Sequence, residues 1–171
     1  MKNVTFTFTI VGIFILSLAC AGQSQMKIGH VNFEEILVSL PERDSALAVL
    51  KKESNDFQIA YEELGVQYNN LYKDYQEGLA TFSSLVRKMK EDELLDKQKR
   101  MTELEQEANL SLQKRNNELM QPIIDKITRA IEKVGIDNAF TYILDVSKGS
   151  VAFVSKESQN LTKDVLKILK Q

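Results

Sequence analysis

The stretch FQIAYEELGVQYNNLYKDY, residues 57–75, places large apolar and aromatic residues at alternating steps of four and three. A repeat of 3.5 residues keeps one seam of a helix facing a partner helix and imposes a left-handed supercoil, whereas a globular helix shows a broader stripe. The pattern therefore predicts one arm of a coiled coil, broken only at Ser54 and Gly78. The seam positions are Leu47, Leu50, Ser54, Phe57, Tyr61, Leu64, Tyr68, Leu71, Tyr75, Gly78, Phe82, Leu85 and Met89.

A second apolar series follows the first and predicts the returning arm. Residues 83–93 lie between the two series, with Ser83 or Ser84 as a possible helix cap, so we expect the chain to fold back near there as a helical hairpin. Each arm would have about 40 residues and a length of roughly 60 Å. A kink is expected at Pro122, which removes one backbone hydrogen bond. The returning series is Leu94, Met101, Leu104, Ala108, Leu112, Leu119, Ile123, Ile127, Ile131 and Val134.

The N-terminus has the layout of a secretory signal peptide, because Lys2 precedes the apolar run TFTFTIVGIFILSLA and then small residues. We interpret residues 1–21 as that signal, with cleavage of the Ala19-Cys20-Ala21 pattern before Gly22. The alternative is a lipoprotein box that leaves Cys20 acylated, but Ser17 stands where such a box usually has Leu. The run is too short to span a bilayer, so membrane attachment is expected only if Cys20 is lipidated.

Composition is that of one folded domain, with 171 residues, 43% apolar and 27% charged. Removing Lys2 with the signal lowers the basic count from 22 to 21 against 24 acidic residues, a formal charge of about −3. Nucleic-acid binding calls for a basic face, and we expect none. Cleavage before Gly22 would also remove the single cysteine, so neither a disulfide nor a cysteine-ligated metal site is expected.

Both ends of the mature chain predict a small β body. KIGHVNF, residues 27–33, indicates one strand, and Asn32 with Glu35 can form a capping box for a helix that runs to about Leu40. Pro41 can end that helix or start the next one. AFTYILDV, residues 139–146, and VAFVS, residues 151–155, predict a β-hairpin around Lys148-Gly149, followed by a closing helix capped by Asn160 or Thr162.

The fold class is therefore α+β, mainly α, with a body at residues 22–45 and 135–171 and a helical hairpin at residues 46–134. Three short strands leave edges and an apolar face exposed, so the sequence predicts a homo-oligomer.

The order of these segments resembles the Skp/OmpH family of periplasmic chaperones over the whole mature chain. The resemblance rests on KIGHVNFEEIL, the heptad arms, LMQPIIDKITRAIEKVG, FTYILDVSKGSVAFVS and LTKDVLKIL. It implies a homotrimer with a central β body and three projecting arms around a cavity that holds unfolded outer-membrane proteins, without nucleotide or cofactor. The best-known relatives are strongly basic, whereas this sequence has a pI near 5.6, so a lipopolysaccharide site is not carried over.

Two sets of candidate residues follow from the pattern and the resemblance together. The seam aromatics have two interpretations: they pack the two arms together, or those nearer the tip line the client cavity. Gly65 and Gly78 either let the arm flex or are simply tolerated. The client-binding candidates are Tyr68, Tyr72, Tyr75, Phe82, Leu85, Val86 and Met89, and the trimer-body candidates are Ile28, Val31, Phe140, Tyr142, Leu144, Val151 and Phe153.

Catalysis is not expected, and no cofactor or metal is expected either. His30 is the single histidine and lies in a predicted strand, and the sequence has no phosphate loop and no nucleophile elbow. Helical runs such as Glu103, Glu105 and Glu107 beside basic residues are typical of a solvated, salt-bridged face. The competing function is a coiled-coil scaffold or an envelope lipoprotein anchored through Cys20.

Overall fold

The computed structural model describes residues 26–149 and 151–170, so the predicted signal peptide at residues 1–21 lies outside the described residues. Along these residues, helices alternate with three short strands. The elements are β1 (Ile28–Val31), α1 (Phe33–Val38), α2 (Pro41–Gly78), α3 (Ser84–Asp137), β2 (Tyr142–Asp145), β3 (Gln159–Asn160) and α4 (Thr162–Leu169). The protein is thus mainly helical with a small sheet, as predicted.

The sheet has the order β2-β1-β3, and both outer strands run parallel to β1. Ile28 pairs with Tyr142 and His30 pairs with both Leu144 and Asn160. The predicted β-hairpin is wrong: Lys148 and Gly149 do form a turn, but residues 151–155 adopt no strand. Residues 159–160 instead occupy the second edge of β1, so that both edges of the central strand are paired by parallel partners.

The turn from β1 into α1 is fixed by Asn32. Its side-chain oxygen accepts the backbone N–H of Glu35 at 3.0 Å, as the predicted capping box requires. The reciprocal half of the box is replaced, because the backbone N–H of Asn32 donates to the Thr162 hydroxyl at 3.0 Å. The cap therefore also ties the start of the chain to the closing helix, where the Asn160 side chain accepts the N–H of Thr162.

The two long helices begin and end at the residues that local chemistry favours. Pro41 is the first residue of α2, with Leu40 before it in an extended conformation. Five residues, 79–83, turn the chain at the far end, and the Ser83 hydroxyl accepts the N–H of Val86 to cap α3. The turn lies just before the predicted range of 83–93. Helix α3 continues through Pro122 as one element.

Helices α2 and α3 lie side by side and antiparallel. Polar contacts join them at intervals from the base to the tip, with donor–acceptor distances of 2.6–3.1 Å. These pairs are Lys126 with Glu42, Arg115 with Glu53, Lys97 with Gln67, and Tyr75 with Glu91. The helical hairpin is therefore present in the chain, while its supercoil stays a prediction.

We call residues 47–118 the arm and residues 26–46, 119–149 and 151–170 the body. One face of the sheet packs on the helices of the body. Gly29 has no room for a side chain, because a Cβ at this position would lie 2.7 Å from the Leu161 side chain. The buried cluster of the body consists of Val31, Ile36, Leu40, Ala46, Ile123, Ile127, Ala130, Val134, Leu161 and Val165. In the described part of the chain, no helix is both long and apolar enough to span a bilayer.

Candidate functional site

The far end of the arm carries exposed apolar side chains. Leu85 and Met89 begin α3 one helical turn apart, and 69% and 63% of their surfaces are exposed. Val86 lies between them and is also exposed. Most of the surface of Leu85 and Met89 and about a third of that of Val86 is open, so this patch, which we call the tip patch (Leu85, Val86 and Met89), is available for contact with another molecule.

Phe82, another client-binding candidate, is half-buried against the end of α2. A Cβ on Gly78 would overlap the Phe82 ring, so the ring lies directly on the glycine backbone. The carbonyl of Gly78 also accepts the backbone N–H groups of Thr81 and Phe82 at 2.9 and 3.0 Å. Gly78 thus permits a close approach that holds the turn together.

All three candidate tyrosines contact other residues of the chain, and Tyr72 is the most exposed of them. The hydroxyl of Tyr75 donates to the Glu91 carboxylate at 2.6 Å, and this bond raises the pKa of Tyr75 above its usual value. Tyr68 is half-buried at the seam and stacks on Tyr72, with ring centroids 6.3 Å apart. Tyr72 itself is exposed. Tyr68 and Tyr75 therefore contact other residues of their own chain, while the lining of a client cavity stays a prediction.

The second exposed apolar surface lies on the face of the sheet opposite the helices, which is only partly covered: His30 on this face is buried. Ile28, Tyr142 and Leu144 are exposed there, and the register places Ile28 beside Tyr142. We call these three residues the open sheet face. Phe153 is still more exposed, with 81% of its surface open, and Val151 is half-buried. These five candidates of the predicted trimer body are accessible to a partner.

The other two trimer-body candidates belong to the interior of the single chain. Val31 is buried in the core of the body, and Phe140 packs against that core. The Lys27 ammonium lies 4.1 Å from the Phe140 ring centroid. These two residues stabilise the fold of one chain; Val31 has no free surface and Phe140 is half-buried.

His30 lies in the middle of β1 and is buried. Its Nδ1 lies 2.9 Å from the Ser158 hydroxyl, which belongs to the segment just before β3. The described residues contain no group of three His, Cys, Asp or Glu side chains placed to hold a metal ion. His30 therefore packs within the body and links β1 to the segment before β3.

Asp145 joins the end of β2 to the start of α1. Its carboxylate accepts the backbone N–H of Phe33 at 3.2 Å, and the backbone N–H and hydroxyl of Ser147 at 2.9 Å each. Burial by itself would raise the pKa of Asp145, but the Ser147 and Phe33 hydrogen bonds outweigh it and lower the pKa below its usual value. The sequence analysis missed Asp145. Ser147 is only 2 residues away, but Phe33 is 112 residues away and meets Asp145 only in the folded chain.

Ion pairs between α2 and α3 fix the antiparallel register at the base and middle of the arm. The Lys126 ammonium donates to Glu42 and lowers the pKa of that carboxyl. Arg115 contacts Glu118 and Glu53, and both carboxylates raise the pKa of its guanidinium. The side chains of these pairs are partly exposed, so the pairs specify the register but contribute little to the stability of the helix pair.

Four exposed apolar residues of the body were also missed: Met26, Val38, Ile136 and Val154. Ile136 follows the seam residue Val134 by two positions, which turns it away from the core. An apolar residue that departs from the helical spacing near the end of an amphipathic helix is the signal that could have identified it.

Together these features define a class of protein. A long antiparallel helix pair, with exposed apolar side chains at its end, projects from a small α/β body whose sheet has one partly exposed face. Residues 27–169 match the protein family described as outer membrane protein (OmpH-like). The chain belongs to this family.

The fold is similar to that of an OmpH-like protein from Caulobacter crescentus CB15, whose crystal structure is described as that of a candidate outer membrane chaperone. The TM-score is 0.70 at 13% sequence identity, and the alignment covers 86% of each chain. At this identity the likeness concerns the fold. A search among curated proteins found no match.

Proposed function

We propose that this protein is a periplasmic holdase chaperone, which binds unfolded outer-membrane proteins between helical arms and prevents their aggregation without ATP. The observation that carries the proposal is the tip patch, an exposed apolar surface at the end of a long arm in a member of the OmpH-like family. Apolar contact is non-directional and therefore suits clients whose only common property is that they are unfolded.

The chemistry of the tip patch fits this task. Leu85 and Met89 have unbranched or flexible side chains that adapt to varied shapes, and a methionine surface is typical of promiscuous binding. Helix α2 has 38 residues, about 57 Å at 1.5 Å per residue. A client held at this distance from the body is kept apart from other clients.

The proposal includes a homotrimer assembled through the body. The open sheet face exposes Ile28, Tyr142 and Leu144, and parallel sheets are usually covered on both faces. The outer edges of β2 and β3 also lack a strand partner among the described residues. Other copies of the chain would cover this surface and arrange the arms around a shared cavity.

The location follows from the proposed client class and from the predicted signal at residues 1–21. Unfolded outer-membrane proteins cross the periplasm, and a chaperone for them acts there. The segment cut before Gly22 would release the protein, whereas acylation of Cys20 would tether it to a membrane.

The test is suppression of aggregation. An outer-membrane β-barrel protein is diluted from urea, and light scattering is followed with increasing mature protein, residues 22–171. We expect near-complete suppression at near-stoichiometric amounts. The double variant Leu85→Gln, Met89→Gln should require several-fold more protein, because the tip patch loses its apolar contacts.

A matched control is available on the same helix. Leu110 and Leu95 are 69% and 63% exposed, the same fractions as Leu85 and Met89. The double variant Leu110→Gln, Leu95→Gln should therefore suppress aggregation as well as the unaltered protein. Unchanged aggregation at every concentration would contradict the holdase and favour a scaffold, and equal losses in both variants would contradict the tip patch as the binding surface.

A further inference from the structure

A continuous depression runs along one side of the arm, midway between the body and the tip. Two adjoining cavities of about 310 and 260 Å³ share Tyr61 and Glu105 as lining residues. We call this depression the mid-arm trough and define it by six of its lining residues, which are Gln58, Tyr61, Tyr68, Met101, Glu105 and Asn109.

Two small residues interrupt the seam at this height and leave space between the larger ones. Ser54 and Ala108 line the larger cavity, at positions where a heptad normally places a large apolar side chain. Beside the smaller cavity, a Cβ on Gly65 would meet only the end of the Met101 side chain, at 3.9 Å. A pair of helices has no third layer to fill such a gap, so the depression stays open to solvent.

The charge around the trough has one sign. No lysine or arginine occurs between Lys52 and Lys73 on α2, or between Arg100 and Lys114 on α3. These two stretches face each other, because Arg115 contacts Glu53 at one end and Lys97 contacts Gln67 at the other. The carboxylates within them are Glu53, Asp56, Glu62, Glu63, Glu103, Glu105 and Glu107.

Most cations at the ends of this band pair with carboxylates other than Glu105. Arg115 is paired with Glu53 and Glu118, and Lys99 is paired with Glu103 at 3.5 Å. Within the described residues no ion pair neutralises Glu105 at the trough wall. Glu62 accepts a hydrogen bond from the neutral amide of Gln58 at 2.8 Å and keeps its charge.

Tyrosine faces and a carboxylate in one open cavity form a recognition site for a cation. Tyr61 and Tyr68 supply aromatic surface, with Tyr72 stacked on Tyr68 outside the lining, and Glu105 supplies the charge. A guanidinium is planar and weakly hydrated, so it stacks on an aromatic ring and donates two hydrogen bonds to a carboxylate at once. Lysine would gain the charge contact with less stacking.

We propose that the mid-arm trough binds arginine side chains, and lysine side chains more weakly, from extended segments of an unfolded client. This inference rests on the proposed holdase function and deepens it by naming the kind of client segment that the arm selects. The tip patch would contact apolar segments, while the trough would engage the basic segments between them.

The experiment measures the affinity of the mature protein for three labelled unstructured peptides by fluorescence anisotropy. One peptide alternates arginine with serine and alanine, and the other two carry lysine or glutamine in place of each arginine. We expect affinity in the order arginine, lysine, glutamine. Glu105→Gln should weaken arginine-peptide binding by about three- to tenfold, and Tyr61→Leu by a similar factor.

The control variant is Glu63→Gln, which removes one charge from the same acidic band but lies outside the trough lining. It should change the affinity for the arginine peptide by less than about twofold. Equal losses in Glu63→Gln and Glu105→Gln would overturn the site in favour of diffuse electrostatic attraction. Equal affinity for the arginine and glutamine peptides would overturn the inference altogether.

Failure of this inference is distinguishable from failure of the holdase function. If Glu105→Gln and the unaltered protein bind the arginine peptide equally, yet both suppress aggregation of the β-barrel client, only the trough is contradicted. If the arginine peptide binds at the trough but no client is protected from aggregation, the trough stands and the holdase function is contradicted.

Discussion

The body and the arm differ in how much apolar surface they bury. In the body, ten residues form one buried cluster, and Ile36, Ile127 and Val165 are fully enclosed. In the arm, over a much longer stretch of chain, the buried apolar residues are Leu71 and Leu94, at 9% and 8% exposure. A sheet and several helices can enclose side chains from all directions, whereas two helices can enclose only the seam between them.

Because of this difference, the body supplies most of the stability and the arm supplies surface for binding. The body gains most of the free energy of folding because it removes most apolar surface from water. The arm keeps exposed apolar and aromatic side chains, a trough and an acidic band, which a stable core would have to bury. A surface of this kind suits the binding of other molecules, and the long helices hold it away from the body.

The largest expected effect contrasts one core residue with one seam residue. Ile127→Ala in the body should lower the free energy of unfolding by about 2–5 kcal/mol, since it leaves a cavity that its enclosed neighbours cannot fill. Leu71→Ala in the arm should cost roughly half as much, because side chains at an open seam can relax toward the gap. Urea unfolding at one fixed protein concentration measures both.

The control for this contrast is Ile59→Ala, an exposed position on the arm, which should change stability by less than about 0.5 kcal/mol. An equal or larger loss for Leu71→Ala than for Ile127→Ala would contradict the assignment of stability to the body.

The next largest effect concerns two glycines of the arm, whose replacement by alanine should change stability in opposite directions. Gly78→Ala should destabilise the protein by about 1–3 kcal/mol, because the new methyl group would overlap the Phe82 ring. Gly65→Ala should stabilise it by about 0.5–1 kcal/mol, since it lies inside a helix with open space around it. Thermal unfolding followed by circular dichroism measures the sign of each change.

The double variant Gly78→Ala, Phe82→Ala should recover most of the loss, because the overlap is removed. A stabilising Gly78→Ala would show that the Phe82 ring does not hold the turn.

The smallest expected effect depends on pH and concerns the body. The folded pKa of Asp145 lies below its usual value, so its stabilisation is complete above the unfolded pKa of about 3.9 and is lost as pH falls through the folded value. Asp145→Asn should therefore cost about 1–2 kcal/mol at pH 7 and less at pH 3, which lies below the unfolded pKa of about 3.9. Unfolding at both pH values tests this.

Asp56→Asn, at an exposed arm position, is the matched control and should have little effect at either pH. A cost of Asp145→Asn that is the same at pH 7 and pH 3 would mean that the hydrogen bonds do not depend on the charged carboxylate.

Much of the architecture could be predicted from local sequence patterns. The heptad spacing predicted the long helices, and both Asn32 and Ser83 act as the helix caps that their positions suggested. The pairing of residues 151–155 could not be predicted in the same way. Strand propensity identifies an apolar, β-branched segment, but it does not show whether another strand has an unpaired edge. Here β1 already has parallel partners on both edges.

The mid-arm trough was beyond the sequence for a related reason. The carboxylates of residues 103–107 looked like an ordinary solvated face, and Lys99 does pair with Glu103 as expected. That Glu105 shares a cavity with Tyr61 depends on the register between two helices, which is fixed by contacts such as Arg115 with Glu53, 62 residues apart. The heptad repeat specifies which residues of each helix lie in the seam, but it does not determine the register between the two helices.

The central claim, that the body joins copies of the chain while the arms hold a client, is tested most directly by the native mass of the mature protein with and without an unfolded outer-membrane β-barrel. We expect a mass of three chains for the protein alone and of three chains plus one client after mixing. A single-chain mass that does not change when the client is added would contradict the account.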